Sequence, residues 1–396
     1  MNTKLQKIYV QICSVSVFHQ VTEHALFQAF EEYCLCAEGE LCKKMKAYAK
    51  FVAEIYKSGT SLTEFVSRLV FEDENVYIKN RAKNKEVEAH VVKSARRELQ
   101  IFSDFAALTA DDFAEDMDVA KTDIAQFGSF IKAMGSAYEE RVAKIDKYGY
   151  GIFASYGMFR VSDDKKIEAI VSADKIGMQS FIGYEEERRK VVENTLAFVE
   201  GRPAANTLLC GDAGTGKSST VKAVANEFFE KGVRLIELRK DQLSLLPYVM
   251  GKISENPLKF IIFIDDLAFN RSDDNFSMLK AALEGSASAK ADNAVIYATS
   301  NRRHIIKESF ADRDGDDVHV NDTMQETLSL SERFGLVVLY SKPNKKLYLD
   351  IVHSLAKQYK IRLKEEELDV QAEAFALKKG NRSARCAQQF IESLLR

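Results

Sequence analysis

The spacing of apolar residues changes near the middle of the chain. Before residue 148, apolar side chains recur every three or four positions, as at Met45, Tyr48, Val52 and Ile55, which is the period of one helix face. All four prolines lie beyond residue 200, so no proline interrupts a helix in this part. We therefore predict an N-terminal all-α domain over residues 1–148.

Individual helices can be placed within this domain. Ser61 followed by Glu64 matches a capping box, which predicts that a helix begins there. A long amphipathic pattern covers residues 87–105. Four apolar residues at helical spacing predict a further helix over residues 124–134.

Beyond residue 183, apolar runs alternate with helical segments, which is typical of a parallel α/β sheet. We predict a core domain over residues 181–342 with strands at 206–210, 233–238, 259–264, 294–299 and 335–340. Residues 149–180 begin with GYGIFASYGMFRV, whose glycines and aromatic residues break the helical period. A free linker would be polar, so this segment is predicted to be an ordered connector. Residues 343–396 show only helical patterns and predict a small C-terminal helical unit.

Composition adds limits to this picture. The chain is 46% hydrophobic and 29% charged, and its net charge of -3 provides no overall positive field for nucleic acid. No apolar run approaches the roughly 20 residues of a bilayer span, so no membrane partner is predicted. Six scattered cysteines do not indicate a disulfide scaffold, and the N-terminus lacks a signal-peptide pattern. A cytoplasmic location is therefore predicted.

One short motif indicates nucleotide chemistry. In LLCGDAGTGKSSTVKA, residues 208–223, the positions from Gly211 to Ser218 satisfy G-x-x-x-x-G-K-[ST], with a predicted strand before them and a helix after them. Backbone N–H groups of such a loop surround phosphates, with the lysine on the β and γ phosphates and the serine hydroxyl on Mg²⁺. The predicted ATP-binding residues are Gly211, Asp212, Ala213, Gly214, Thr215, Gly216, Lys217, Ser218 and Ser219, with Ser218 also a metal ligand.

A second motif supplies carboxylates beside this loop. KFIIFIDDL, residues 259–267, is an unbroken apolar strand that ends in two aspartates. A buried strand that delivers a carboxylate at its carboxyl end is what a Mg²⁺ site next to the loop requires. We predict that Asp265 holds the metal and that Asp266 orients the attacking water. Alone, two aspartates after a strand would equally indicate a turn.

Three further polar residues follow in order along the chain. Asn301 ends the predicted strand in NAVIYATSNRRH, where its side chain could bond the attacking water or the γ-phosphate. Arg333 precedes the last predicted strand in SLSERFG, and Arg385 follows a capping Ser383 in GNRSARCAQQF. A lone arginine at a strand start is usually a surface residue, so only the order of the motifs favours a role for Arg333.

The order of these motifs resembles that of an AAA+ ATPase. The glycine-rich loop corresponds to Walker A, Asp265 and Asp266 to Walker B, Asn301 to sensor 1, Arg333 to the arginine finger and Arg385 to sensor 2. Within that superfamily, FIDDLAF, IYATSNRRH, LSERFG and the long segment from Ser180 to Ser219 are similar to the bacterial family DUF815. The resemblance covers about residues 149–396. It implies a five-stranded parallel sheet flanked by helices, a C-terminal helical lid and, in this chain, an added N-terminal all-α domain.

The resemblance also implies roles for individual residues. Ile182 and Gly183 match the segment that lines the adenine pocket. Arg333 matches a finger that enters the site of a neighbouring subunit, which implies a homo-oligomer. Arg385 matches the sensor arginine of the lid, and Arg382 is a second candidate for that role.

These features together predict a protein that uses ATP and Mg²⁺ and hydrolyses ATP to ADP and phosphate in order to remodel or load an unknown protein or nucleic-acid client. AAA+ proteins usually carry glutamate where this chain has Asp266. The shorter side chain favours an alternative, a nucleotide-gated binding or adaptor module with little intrinsic hydrolysis. A small-molecule kinase is disfavoured, because no acceptor-binding motif occurs and Arg333 and Arg385 would have no purpose.

Overall fold

The protein is described by a computed structural model over residues 3–37, 39–172, 176–267, 278–280, 283, 291–301 and 333–395. The chain forms two compact units, Met1–Ser155 and Tyr156–Arg396. The predicted division into four segments remains a prediction. Among the described residues, no helix has both the length and the apolar composition that crossing a membrane requires.

The first unit is built from helices around an aromatic core. The rings of Phe30 and Phe105 pack edge to face at 5.0 Å, and those of Phe51 and Phe113 lie 5.3 Å apart. Each of these four side chains is almost fully buried. The helices are α1 Thr3–Ile12, α2 His19–Thr22, α3 Ala25–Cys34, α4 Leu41–Ser58, α5 Leu62–Glu72, α6 Val76–Ala82, α7 Ala89–Ala106, α8 Ala110–Met117, α9 Met134–Ala143 and α10 Ile145–Tyr148.

Helix α5 begins where the capping box predicted. The Ser61 hydroxyl accepts a hydrogen bond from the Glu64 N–H, and the Glu64 carboxylate accepts one from the Ser61 N–H. These bonds satisfy backbone donors at the helix start that would otherwise lack partners. The predicted helix over residues 87–105 is also confirmed, as α7.

The helix predicted over residues 124–134 is wrong for all but its last residue. Residues 124–133 form no helix, and α9 begins at Met134. Side chains of neighbouring helices hold this backbone instead: the Thr63 hydroxyl accepts from Phe130 N–H, and Tyr48 donates to the Ala125 carbonyl. Ile131, which the periodicity placed on a buried face, is 93% exposed.

A seven-stranded sheet forms the centre of the second unit, in the order β2-β1-β4-β5-β6-β3-β7. All neighbouring strands run parallel except β1 and β2, which are antiparallel. The strands are β1 Met158–Val161, β2 Ile167–Ala169, β3 Thr207–Gly211, β4 Val233–Glu237, β5 Lys259–Ile264, β6 Ala294–Ser300 and β7 Leu336–Tyr340.

Strands β3 to β7 are the five predicted strands, so the α/β class with a parallel sheet is confirmed. The predicted number of five is corrected to seven, because β1 and β2 come from the segment predicted to be a connector. Strand β1 is only four residues long, and its buried Phe159 and Val161 alternate with the exposed Arg160. A pattern this short directly after Gly157 resembles an irregular packed segment.

Helices flank the sheet and follow it. Along the chain, α11 Glu185–Val199 precedes β3, α12 Lys217–Glu227 follows β3, and α13 Leu246–Ile253 lies between β4 and β5. Helices α11 and α12 bury apolar side chains such as Val191 and Val224 in one cluster with sheet residues. The C-terminal helices α14 Lys345–Gln358, α15 Glu365–Lys379 and α16 Ala384–Leu394 pack around their own core, and we call them the lid.

Candidate functional site

The glycine-rich loop connects buried strand β3 to helix α12. Gly211 has a φ of +130°, and a Cβ there would lie 2.0 Å from the carbonyl oxygen of Tyr340 on the neighbouring strand β7. Gly216, at the N-cap of α12, has a φ of +91°. Both positions require glycine because of their positive φ, and Gly211 also has no space for a Cβ atom.

This loop presents unpaired backbone donors. Within the part of the chain that the structure describes, the backbone N–H groups of residues 213–219 have no hydrogen-bond acceptor. They surround the N-terminus of α12, where the helix dipole is positive. Such a group of donors fits an anion of several oxygens, such as the phosphates of a nucleotide.

Lys217 lies inside this loop rather than in solvent. Its side chain is 5% exposed, and Nζ donates to the carbonyl oxygens of Gly211 at 2.9 Å and Asp212 at 2.7 Å. It also donates to Oδ1 of Asn301 at 3.2 Å. Burial lowers the pKa of Lys217, although the nearby carboxylates oppose this shift. The loop thus places one buried ammonium group beside its free N–H donors.

Asp265 follows β5 and faces the loop. Its Oδ1 accepts hydrogen bonds from the Ser218 hydroxyl at 2.6 Å, from the Thr299 hydroxyl, and from the Asp266 N–H at 3.1 Å. The hydroxyl and carboxylate oxygens of Ser218 and Asp265 are the hard ligands that Mg²⁺ prefers, so this pair fits the predicted metal. Among the described residues, no three His, Cys, Asp or Glu side chains converge to hold a metal by themselves. A cation here would therefore depend on water and phosphate oxygens as well.

Asp266 adopts a left-handed backbone conformation with a φ of +53°. Asp is one of the few residues that tolerate this conformation. Its Oδ1 accepts a hydrogen bond from the Asn301 amide at 2.7 Å. Asn301 therefore links Asp266 to Lys217, which places three of the predicted residues in one hydrogen-bonded chain.

The lid contacts both predicted nucleotide-binding segments. A Cβ on Gly183 would lie 2.2 Å from Leu347 of α14, and Ile182 packs against the lid core. At the phosphate loop, the Arg385 N–H donates to the Gly214 carbonyl at 3.3 Å. A Cβ on Gly214 would lie 3.0 Å from the Ser383 hydroxyl, so only glycine permits this approach without adjustment.

The two candidate sensor arginines differ in their surroundings. Nε and Nη2 of Arg382 donate hydrogen bonds to the Glu373 carboxylate, at 2.9 and 2.7 Å. Arg385 is exposed, and its side chain has no hydrogen bond or ion pair with any described residue. It lies in the first turn of α16, which Ser383 caps as predicted. Of the two guanidinium groups, that of Arg382 is thus paired, and that of Arg385 has no partner among the described residues.

Arg333 does not lie with the other predicted residues. It precedes β7, whose first residue Leu336 pairs with Thr207 and whose last residue Tyr340 pairs with Gly211. Because β3 and β7 are parallel, the phosphate loop and Arg333 are at opposite ends of the strand. The site of this chain thus forms without Arg333.

Two residues of the site were missed by the sequence analysis. Tyr340 accepts a backbone hydrogen bond from Asp212 at 3.1 Å and limits the space at Gly211. Thr299 contacts Asp265 and Asp266. The signal for Thr299 was present, since alternate residues of a strand point to one face and Thr299 is two positions before Asn301.

A comparison with models of protein families agrees with the resemblance to DUF815. The model of a family described as a protein of unknown function, DUF815, matches residues 154–396. No curated protein matches the chain. Among solved structures, the chain is similar to Thermotoga maritima RuvB, described as a Holliday junction branch migration motor, with 11% identity, a TM-score of 0.35, and coverage of 56% of this chain and 72% of that chain. A variant of the same RuvB matches at 15% identity with a TM-score of 0.36 over the same shares. The chain belongs to the DUF815 family, and its second unit is an α/β fold whose mostly parallel sheet carries the glycine-rich loop after β3.

Proposed function

We propose that this protein binds ATP with Mg²⁺ and hydrolyses ATP to ADP and phosphate. One observation carries the proposal: the unpaired loop N–H groups, the ammonium group of Lys217 and the carboxylates of Asp265 and Asp266 converge at one edge of the sheet. Donors for a polyphosphate, oxygen ligands for a cation and a carboxylate for a water molecule are the parts that this reaction needs.

Each residue has a distinct role in the proposed reaction. The loop N–H groups and Lys217 hold the phosphate oxygens, and Ser218 with Asp265 would hold Mg²⁺. The metal, when bound, neutralises charge on the phosphates. Asp266 orients a water molecule and accepts its proton. The water oxygen attacks the γ-phosphorus while the bond to the β-phosphate oxygen breaks, which releases ADP and phosphate. Asn301 fixes the direction of the Asp266 carboxylate through its amide.

The lid gives this reaction a mechanical consequence. Arg385 approaches the γ-phosphate from α16, whose first turn already touches Gly214. Loss of the γ-phosphate removes that contact and allows the lid to move relative to the sheet. We propose that a homo-oligomer in the cytoplasm uses this movement to remodel or load a protein or nucleic-acid client.

The alternative function differs in rate. The Asp266 side chain is one methylene group shorter than that of the usual glutamate, and its carboxylate already accepts a hydrogen bond from Asn301. Both features favour a module that binds ATP and hydrolyses it slowly. Phosphate release by the purified chain separates the two. Turnover near one per second or above is typical of an ATPase, whereas tight binding with much slower release indicates a nucleotide-gated adaptor.

The first test replaces the loop lysine. Lys217→Ala should weaken ATP binding roughly 10–100-fold, because hydrogen bonds to charged groups contribute about 1.5–3 kcal/mol. Binding of a fluorescent ATP analogue measures this effect. The matched control is Lys222→Ala in the same helix, whose ammonium group pairs with Glu237 and not with the loop. Equal affinity of the parent and Lys217→Ala would remove the loop as the nucleotide site.

A further inference from the structure

Thr299 is a buried residue of β6 that contacts both aspartates of the site. Its side chain is 2% exposed, and its hydroxyl donates to Oδ1 of Asp265 while accepting the Asp266 N–H at 3.0 Å. Its carbonyl oxygen also accepts the Leu267 N–H at 2.7 Å. One residue thus fixes three consecutive positions of the neighbouring chain segment.

These bonds determine which oxygen of Asp265 is available. Ser218, Thr299 and the Asp266 N–H all donate to Oδ1. Among the described residues, Oδ2 of Asp265 accepts no hydrogen bond. The carboxylate is therefore held by one oxygen, and the other remains available as a ligand. Hydrogen bonds from neighbouring groups orient metal ligands in this way and affect metal affinity.

The same hydroxyl supports the backbone of Asp266. A non-glycine residue with a φ of +53° is in a sparsely populated conformation that its surroundings must stabilise. The Asp266 N–H is held by Thr299 and by Asp265, and its carboxylate by Asn301. The Thr299 hydroxyl donates to the Asp265 carboxylate and accepts from the Asp266 N–H, whereas a valine of the same shape could do neither.

We propose that Thr299 is a positioning residue that directs Asp265 toward Mg²⁺ and Asp266 toward the attacking water at the same time. This inference rests on the proposed function, because it assigns Thr299 to the same reaction. Thr299 is buried and its hydroxyl is used by Asp265 and Asp266, so we assign it no direct bond to phosphate or to the attacking water. Its loss should therefore change the dependence on Mg²⁺ and the turnover, while the affinity for ATP without Mg²⁺ stays the same.

Three variants test the proposal. In Thr299→Val the shape is kept without the hydroxyl, in Thr299→Ala both the hydroxyl and the methyl group are removed, and in Thr299→Ser the hydroxyl is kept. For the first two we expect kcat to fall about 10–100-fold and the Mg²⁺ concentration for half-maximal activity to rise about tenfold. The serine variant should stay within about threefold of the parent in both quantities.

Binding supplies a measurement that does not depend on turnover. A fluorescent ATP analogue is titrated into each protein with excess EDTA and then with increasing Mg²⁺. The parent and all three variants should bind equally in EDTA, which also shows that each variant is folded. In the parent, Mg²⁺ should increase the affinity for the analogue. The valine and alanine variants should lose most of this increase, and the serine variant should keep it.

The outcomes separate this inference from the proposed function. If the parent binds the analogue and hydrolyses ATP but Thr299→Val keeps the parental Mg²⁺ dependence and kcat, the positioning role is wrong. If the valine variant is defective and the alanine variant is normal, the defect comes from packing, and the role is equally wrong. If the parent itself neither binds nor hydrolyses ATP, and Lys217→Ala behaves the same, the proposed function fails before Thr299 is tested.

Discussion

Asp266 is the residue on which the proposed hydrolysis step depends most directly. Asp266→Asn has the same size and can still accept the hydrogen bond from the Asn301 amide, so the geometry should persist. It cannot accept a proton, so kcat should fall about 10²–10⁴-fold, the usual contribution of a general base. ATP affinity should change little. Phosphate release and analogue binding, measured on the same preparation, give both numbers.

The control for this variant is Asp163→Asn, which removes a carboxylate that is 84% exposed and pairs with Arg239. Its turnover should equal that of the parent. If Asp266→Asn were fully active, the water would be oriented by another group, and Asp266 would have only the structural role of a tolerant residue in a left-handed turn.

Single residues of the site differ in how far the sequence could place them. Ser218 and Asp265 belong to short motifs whose spacing carries their chemistry, so the sequence alone predicted that they meet. Thr299 reaches Asp265 across 34 positions, and the contact exists only because β5 and β6 are neighbours in the sheet. The choice between Arg382 and Arg385 likewise depended on Glu373, whose position beside Arg382 follows from packing in the lid.

Helix α16 is the element that connects the lid to the phosphate loop. Arg385, in its first turn, has no side-chain partner among the described residues, whereas Arg382 is held by Glu373. Arg385→Ala should reduce ATP turnover at least about tenfold, because it removes a charged donor to the γ-phosphate. Arg382→Ala should lower the melting temperature of the protein slightly and leave turnover within about threefold of the parent.

Turnover and thermal melting of the two variants, compared side by side, check this assignment. A larger loss of turnover in Arg382→Ala than in Arg385→Ala would reverse it. Equal losses accompanied by equal drops in melting temperature would mean that both arginines act through the stability of the lid rather than through the nucleotide.

Elements with a longer hydrophobic pattern were easier to predict from the sequence than elements with a short one. Strands β3 to β7 are five to seven residues long and mostly apolar, and such segments between helical ones are typical of parallel strands. Strand β2 has three half-buried residues and carries almost no pattern. Residues 124–133 have a helical spacing, but hydrogen bonds from Thr63 and Tyr48 hold them in another conformation. Tertiary contacts therefore overrode the periodicity there.

The position of Arg333, before strand β7, bears on the proposed assembly into a homo-oligomer. It lies before Leu336, and the four residue steps from Leu336 to Tyr340 extend about 13 Å. The phosphate loop begins beside Tyr340, at the far end of this strand. An arginine side chain is shorter than this separation, so Arg333 does not reach the phosphate loop of its own chain. We therefore infer that any role of Arg333 in catalysis is exerted on a second copy.

Mixing two inactive variants tests this inference. Arg333→Ala keeps its own nucleotide site but lacks the finger, and Lys217→Ala lacks the site but keeps the finger. Each alone should lose most ATP turnover, since an arginine finger contributes about 10³-fold or more. In a mixture, the finger of Lys217→Ala should complete the site of Arg333→Ala, and activity should return and increase with protein concentration. The contrary result has two parts. The mixture stays inactive at every ratio and concentration, and the active parent has a specific activity that does not depend on concentration. Together these results would show that the protein hydrolyses ATP without a neighbouring subunit.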